Sequence, residues 1–278
     1  MFKGKVLIGQ SGGPTSVINS SLAGIIDGCA RVAEITGVLG MRWGIEGFMA
    51  GNLVDLAAQG KKIVAALRRT PSAALGSSRH KVKEPDFPVI LQRLKEFDIR
   101  YLFMIGGNDT MDTLHRVTEH AAGQGYDMCG IGVPKTVDND LFGTDHTPGF
   151  ASAARYVALS VQQTGILARD MQKVDQFVIY QSIGRDAGWL SAAAALAKRD
   201  EADAPHIICM PERSSIARSF SLTCRRHTRV SVSSPSFVER ASGMPTRRRS
   251  RPRGRATSSP TWNTARWADR ASRCSFIG

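Results

Sequence analysis

An α/β fold organised around a parallel-rich sheet is the architecture this sequence predicts, and three features predict it. Short apolar runs alternate with amphipathic helical stretches along the first 212 residues. Several of those runs end in glycine-rich turns that open directly into helices. Charge is balanced over this same region, with 23 basic and 22 acidic side chains in the first 213 residues, as expected of a chain that folds on a mixed surface rather than on a polyanion.

The elements follow in order. KVLIGQ (5–10) is an apolar run too short for a helix and reads as a buried strand. It passes through GQSGGPTS (9–16) into SVINSSLAGIIDGCARVAE (16–34), whose apolar residues recur at helical spacing. ITGVLGMRW (35–43) reads as a second strand and YLFMIGG (101–107) as another, the latter entering the helix DTMDTLHRVTEHAA (109–122). DMCGIGVP (127–134) is the next strand; its proline stops pairing and hands the chain to KTVDND. A long helix is predicted over PGFASAARYVALSVQQTGILARDM (148–171) and a shorter one over GWLSAAAALAK (188–198), with strand readings at DQFVIYQSIG (175–184) and HIICMPE (206–212).

Composition narrows the class. The 278 residues are 42% hydrophobic, enough for about two domains with a substantial core. The N-terminal run reaches glycine too soon for a signal-peptide core, and no apolar run has membrane-spanning length, so a cytoplasmic protein with no membrane association is expected. Cysteines 29, 129, 209, 224 and 274 are scattered, without CxxC spacing, and suggest neither a zinc site nor a disulfide framework. Nearly all of the net charge of +13 lies in residues 214–278, which hold 14 Arg, no Lys and only Glu239 and Asp269. That segment also has 14 Ser and no sustained apolar period. It reads either as an arm that binds polyanions or as out-of-frame translation of a GC-rich gene. The change from 13 Arg and 10 Lys before it to 14 and none within it favours the second, and argues against nucleic acid as the partner of the organised part.

Three strand ends carry chemistry. In GQSGGPTS, Gly12 and Gly13 permit a tight turn with accessible N–H groups ahead of a helix N-terminus, a natural anion cradle, although such turns also serve as simple punctuation. IGGNDT repeats the arrangement with Asn108 and Asp109, where Asp109 alone reads as a helix cap. GIGVPKTVDND places Lys135, Thr136, Asp138 and Asp140 beyond a buried strand. In parallel sheets that is where ligands bind. One carboxylate there suits proton abstraction, another a divalent metal, and the lysine suits the charge of a transferring phosphoryl group; the bland reading is a solvated polar turn.

GQSGG, LGSSR (75–79), GGNDT, GVPKTVDND, TDHTPGF, IGRDAGW and MPER, in this order and spacing, resemble the phosphofructokinase family, and in particular its pyrophosphate-dependent branch, over about residues 3–213. The resemblance implies parallel-rich sheets flanked by helices in two Rossmann-like lobes. Residues 1–148 would form a lobe for pyrophosphate and Mg²⁺, residues 149–213 part of a fructose 6-phosphate lobe, and the second lobe would be incomplete, with 214–278 left as the Arg/Ser-rich tail. It implies transfer of a phosphoryl group from pyrophosphate to the 1-hydroxyl of fructose 6-phosphate. Asp138 would be the general base, supported by Thr136 and Asp140. Gly12 and Arg79 would hold the donor. Ile183, Gly184 and Arg185 would close over the sugar phosphate, and Glu212 would bind its hydroxyls.

The same resemblance assigns donor choice to Asp109, which stands where ATP-using relatives have glycine, and to Lys135, which would stabilise the departing phosphate. Mg²⁺ is implied at Asn108, a position that most often holds Asp in the family; the neutral amide shifts weight onto Asp140 and the pyrophosphate oxygens. The family builds sites across subunits, so a homo-oligomer is expected of an intact chain. The family's His and Arg group for the sugar's 6-phosphate is not recognisable after Arg213. An ATP-dependent phosphofructokinase and an inactive remnant with a polyanion-binding tail are the alternatives.

Overall fold

The computed structural model describes residues 2–174, 178–184 and 186–212. The chain divides into two units, Met1–Ser152 and Ala153–Gly278. The first is built on a five-stranded sheet of β1 (Gly4–Gln10), β2 (Ile35–Met41), β3 (Leu53–Asp55), β4 (Ile99–Gly106) and β5 (Cys129–Pro134), in the order β3-β2-β1-β4-β5. All neighbours pair in parallel except β2 and β3. Between the strands run α1 (Ile18–Cys29), α2 (Gly44–Met49), α3 (Lys61–Leu67), α4 (Asp86–Glu96) and α5 (Asn108–Gly123).

Alternation along the central strands sorts these helices onto two faces. Val6 and Ile8 of β1 pack with Ile18, Leu22 and Ile26 of α1 and Val64 of α3, whereas Leu7, between them, joins Phe48 of α2, Ile90 and Leu94 of α4, and Leu114 and Val117 of α5. Side chains of β1 on both faces are fully buried, which is why KVLIGQ reads as a continuous apolar run rather than an alternating one. The strand order reverses about β1: the chain first builds outward through β2, then returns to place β4 on the other side. The carboxyl ends of β1 and β4 therefore flank a crevice.

The segment from 44 to 98 yields a short antiparallel strand and three helices that the apolar pattern alone did not mark, because none exceeds about three turns. In the second unit, α6 (Phe150–Asp170, beginning at the end of the first unit), α7 (Trp189–Ala193) and a 3₁₀ turn (Ala194–Ala197) bear out the helical patterns. Of the strand expected at 175–184, residues 175–177 lie outside the described residues, and no strand forms over 178–184 or 206–212. A strand exists only by extended pairing, and among the described residues of these two runs only Cys209 forms a single bridge. No described helix is long and apolar enough to cross a membrane.

Candidate active site

The crevice at the carboxyl ends of β1, β4 and β5 gathers the three strand-end motifs. Gly12, at φ +75°, adopts a left-handed turn, and a Cβ there would stand 3.1 Å from the Lys135 ammonium. Its N–H donates to the Ser78 carbonyl at 3.3 Å and its own carbonyl accepts from the Ser77 hydroxyl at 2.5 Å. Gly12 thus contributes room and a link to the LGSSR loop instead of a free amide. That loop is also fixed from beneath by a buried pair that sequence reasoning missed. Gln10 donates to Asn19 Oδ1 at 3.0 Å and accepts from the Leu75 N–H at 3.0 Å, while Asn19 accepts from the Ala74 N–H at 2.8 Å and donates to the Thr70 carbonyl at 3.0 Å. These amides carry Arg79, which is exposed, to the crevice rim. Only their position flanking the glycine turn could have marked them in the sequence.

Lys135 is buried, 4% exposed, at the end of β5. Its backbone N–H donates to the Gly106 carbonyl at 3.0 Å and its ammonium to the Gly13 carbonyl at 2.6 Å, so a single residue ties the three strand ends together. Burial holds its pKa below the ordinary lysine value; the Asp138 carboxylate opposes that shift and Arg79 adds to it. Thr136 bridges to Gly149 and accepts, through its hydroxyl, the Asp138 N–H at 3.1 Å. Asp138 is half-buried and Asp140 exposed.

At the end of β4, Asn108 and Asp109 are the first residues of α5, where N–H groups have no intrahelical acceptor. The expectation that Asp109 caps this helix is corrected: the cap position is Gly107, in extended conformation, and Asp109 already lies in the first turn with its carboxylate 3.7 Å from the Lys81 ammonium. Asn108 presents its amide nitrogen to Asp140 Oδ2 at 3.5 Å. Turned by half a rotation, its oxygen would join that carboxylate as a pair of oxygen ligands, which suits Mg²⁺, an ion that takes one or two protein oxygens and fills the rest of its shell from substrate phosphates and water. No group of three or more His, Cys, Asp or Glu side chains suited to a metal exists among the described residues.

In the second unit, Ile183 is exposed and Gly184 takes φ +109°, while Arg185 lies outside the described residues. Glu212 accepts the Gly188 N–H at 2.5 Å, so its carboxylate meets the IGRDAGW segment at the residue before α7. Trp43 and Trp189 are both about half exposed; the Trp43 ring nonetheless lies so close to Gly76 that a Cβ there would sit 2.5 Å from it.

A mostly parallel sheet flanked by helices, with glycine turns and a buried lysine at its switch-point crevice, places the chain in the α/β class. The comparisons are more specific. The phosphofructokinase family model matches residues 5–251, and this chain belongs to the phosphofructokinase family. It is 43% identical over 232 residues to the pyrophosphate-fructose 6-phosphate 1-phosphotransferase of Xanthomonas campestris pv. campestris, covering 81% of this chain and 55% of that protein. It is 40% identical over 214 residues to a sulfofructose kinase of Alkalicoccus urumqiensis, covering 75% and 54%. The solved pyrophosphate-dependent phosphofructokinase of Marinobacter aquaeolei superposes with a TM-score of 0.73 at 37% identity, over 81% of this chain and 57% of that one. The chain spans about half the length of the curated relatives it matches.

Proposed function

We propose that this chain carries the donor half of a phosphotransferase that moves a phosphoryl group from pyrophosphate to the 1-hydroxyl of fructose 6-phosphate, giving fructose 1,6-bisphosphate and phosphate. On this reading residues 1–148 bind the donor and residues 149–213 supply part of the sugar site. The observation that carries it is the buried Lys135 ammonium seated on the Gly13 carbonyl, with Asp138 three residues on at the same strand end.

Asp138 accepts the proton of the sugar hydroxyl as its oxygen attacks the terminal phosphorus. The bond from that phosphorus to the bridging oxygen breaks, and Lys135 meets the charge gathering on the departing phosphate. Arg79 and the first N–H groups of α5 hold the donor's oxygens. Asp109 places a carboxylate where a nucleotide's α-phosphate would otherwise extend, which favours pyrophosphate over ATP. Asn108 and Asp140 would hold Mg²⁺, which when bound neutralises charge on the phosphates. Because donor and product esters lie close in transfer potential, the reaction runs in both directions.

A coupled assay on the full chain, with pyrophosphate or ATP as donor and with fructose 6-phosphate or 6-sulfofructose as acceptor, tests this reading. One relative is named a sulfofructose kinase, which makes the second acceptor a necessary arm. Turnover with pyrophosphate and fructose 6-phosphate is expected, reduced about 10²–10⁴-fold by Asp138→Asn. Faster turnover with ATP, or full activity in the Asp138 variant, overturns it.

A further inference from the structure

Asp138 and Asp140 are separated by Asn139, a residue that neither the motif's chemistry nor the resemblance uses. Asn139 is buried, 7% exposed, and sits in the left-handed region at φ +57°. Both polar atoms of its side chain are hydrogen-bonded. Oδ1 accepts the Thr147 N–H at 2.8 Å and the Thr147 hydroxyl at 3.1 Å, and Nδ2 donates to the Asp145 carbonyl at 3.1 Å. Thr147 is itself fully buried, and its single hydroxyl proton lies between Asn139 Oδ1 and the Thr136 carbonyl, which is 2.9 Å away. Thr136 in turn bonds the Pro148 carbonyl through its N–H at 3.1 Å and bridges to Gly149. One amide therefore closes the loop 136–149 onto its own base.

We propose that Asn139 is a positioning residue that sets the separation and direction of the two flanking carboxylates. Two requirements meet at this position. The left-handed conformation of Asn139 sets the course of the backbone between Asp138 and Asp140, and asparagine is one of the few residues with a side chain that adopt it. The three hydrogen bonds then prevent the turn from relaxing, because opening it strands buried polar groups. Loss of the amide lets the carboxylates drift relative to the glycine turns, and displacements of about 1 Å at such a site lower rates by up to about 10²-fold. The inference rests on the donor reading above, since that reading gives the carboxylates their tasks.

The test separates the turn from its hydrogen bonds. Asn139→Gly keeps the left-handed conformation and deletes the side chain; Asn139→Asp keeps the acceptor and loses the donor; Thr147→Val removes the hydroxyl partner while leaving Asn139 in place. Each full-length variant is titrated calorimetrically with pyrophosphate, without and with Mg²⁺, beside its melting temperature and turnover. The expected result for Asn139→Gly is a metal-free pyrophosphate affinity within about twofold of the unsubstituted chain, since Lys135 and the glycine turns are untouched. The gain in affinity that Mg²⁺ brings falls about tenfold, as losses of groups that orient metal ligands do, and kcat falls at least as far. Asn139→Asp and Thr147→Val are expected to lie between. A variant series that keeps the Mg²⁺ gain and turnover overturns the proposal. So does a loss of metal-free affinity in step with melting temperature, which marks a purely structural role. Absence of pyrophosphate binding by the unsubstituted chain instead overturns the donor reading, and this inference with it.

Discussion

The first and second units of this chain both contain apolar runs, with different outcomes. YLFMIGG becomes the paired core of β4, where Leu102, Met104 and Ile105 are buried. In the second unit, Val178, Ile179, Tyr180 and Ile183 belong to a similar run, yet they are all exposed and no strand forms over 178–184. The longer helices α1, α5 and α6 form where their patterns predict. The difference lies in where backbone hydrogen bonds go: a helix satisfies its own, whereas a strand depends on a neighbour that its own sequence does not specify.

That contrast can be broken by mutation. The largest effect is expected in the paired unit, where Phe48→Ala empties a fully buried site and lowers unfolding free energy by about 3–5 kcal/mol in denaturant titration. A loss below about 1 kcal/mol would mean that the sheet's second face is not tightly packed. Next, Lys135→Met is expected to lower phosphoryl transfer about 10²–10³-fold. Its pH behaviour has a definite sign. Burial lowers the lysine's folded pKa, so the folded chain gives up this proton before the unfolded chain does, and stability rises as pH climbs from that lowered value toward the ordinary ~10.4. Activity falls over the same window as the cation is lost. In Lys135→Met both trends are expected to disappear.

A smaller change is expected in donor preference. Asp109→Gly combined with Lys135→Gly raises the ratio of ATP to pyrophosphate use in the coupled assay, and an unchanged ratio would contradict the roles given to these residues. The smallest effect belongs to the second unit: Ile183→Ser, at a site 66% exposed, is expected to shift stability by no more than about 0.5 kcal/mol. A larger loss would show that this apolar run is packed in solution, and would remove the contrast between the units.

What the sequence made legible follows the same division. β1 and β4 were readable because largely buried strands have unbroken apolar runs. β5 was expected to be buried too, but it stands at the edge of the described sheet and none of its residues is buried, because no described strand covers its outer side. The crevice was readable because glycine and proline punctuate its three strand ends. Lys135, Asn108 and Asp109 were singled out by residue type at strand ends; the structure sets Lys135 within the electrostatic reach of Asp138 and Asn108 beside Asp140, while Asp109 faces Lys81. Two things were not legible. The Gln10 and Asn19 amides, and the Asn139 and Thr147 pair, act through contacts across 8 to 65 residues of chain, which no local period encodes. Asp109 looked like a cap because acidic residues cap helices, but the extended conformation of Gly107 starts the helix before it.

Calorimetric titration of the full chain with pyrophosphate and, separately, with ATP, both with Mg²⁺ and without sugar, tests most directly whether the crevice of the first unit is a pyrophosphate site. Pyrophosphate is expected to bind more tightly than ATP and to lose that advantage in Lys135→Met. Tighter binding of ATP, or pyrophosphate binding unchanged by the substitution, would contradict it.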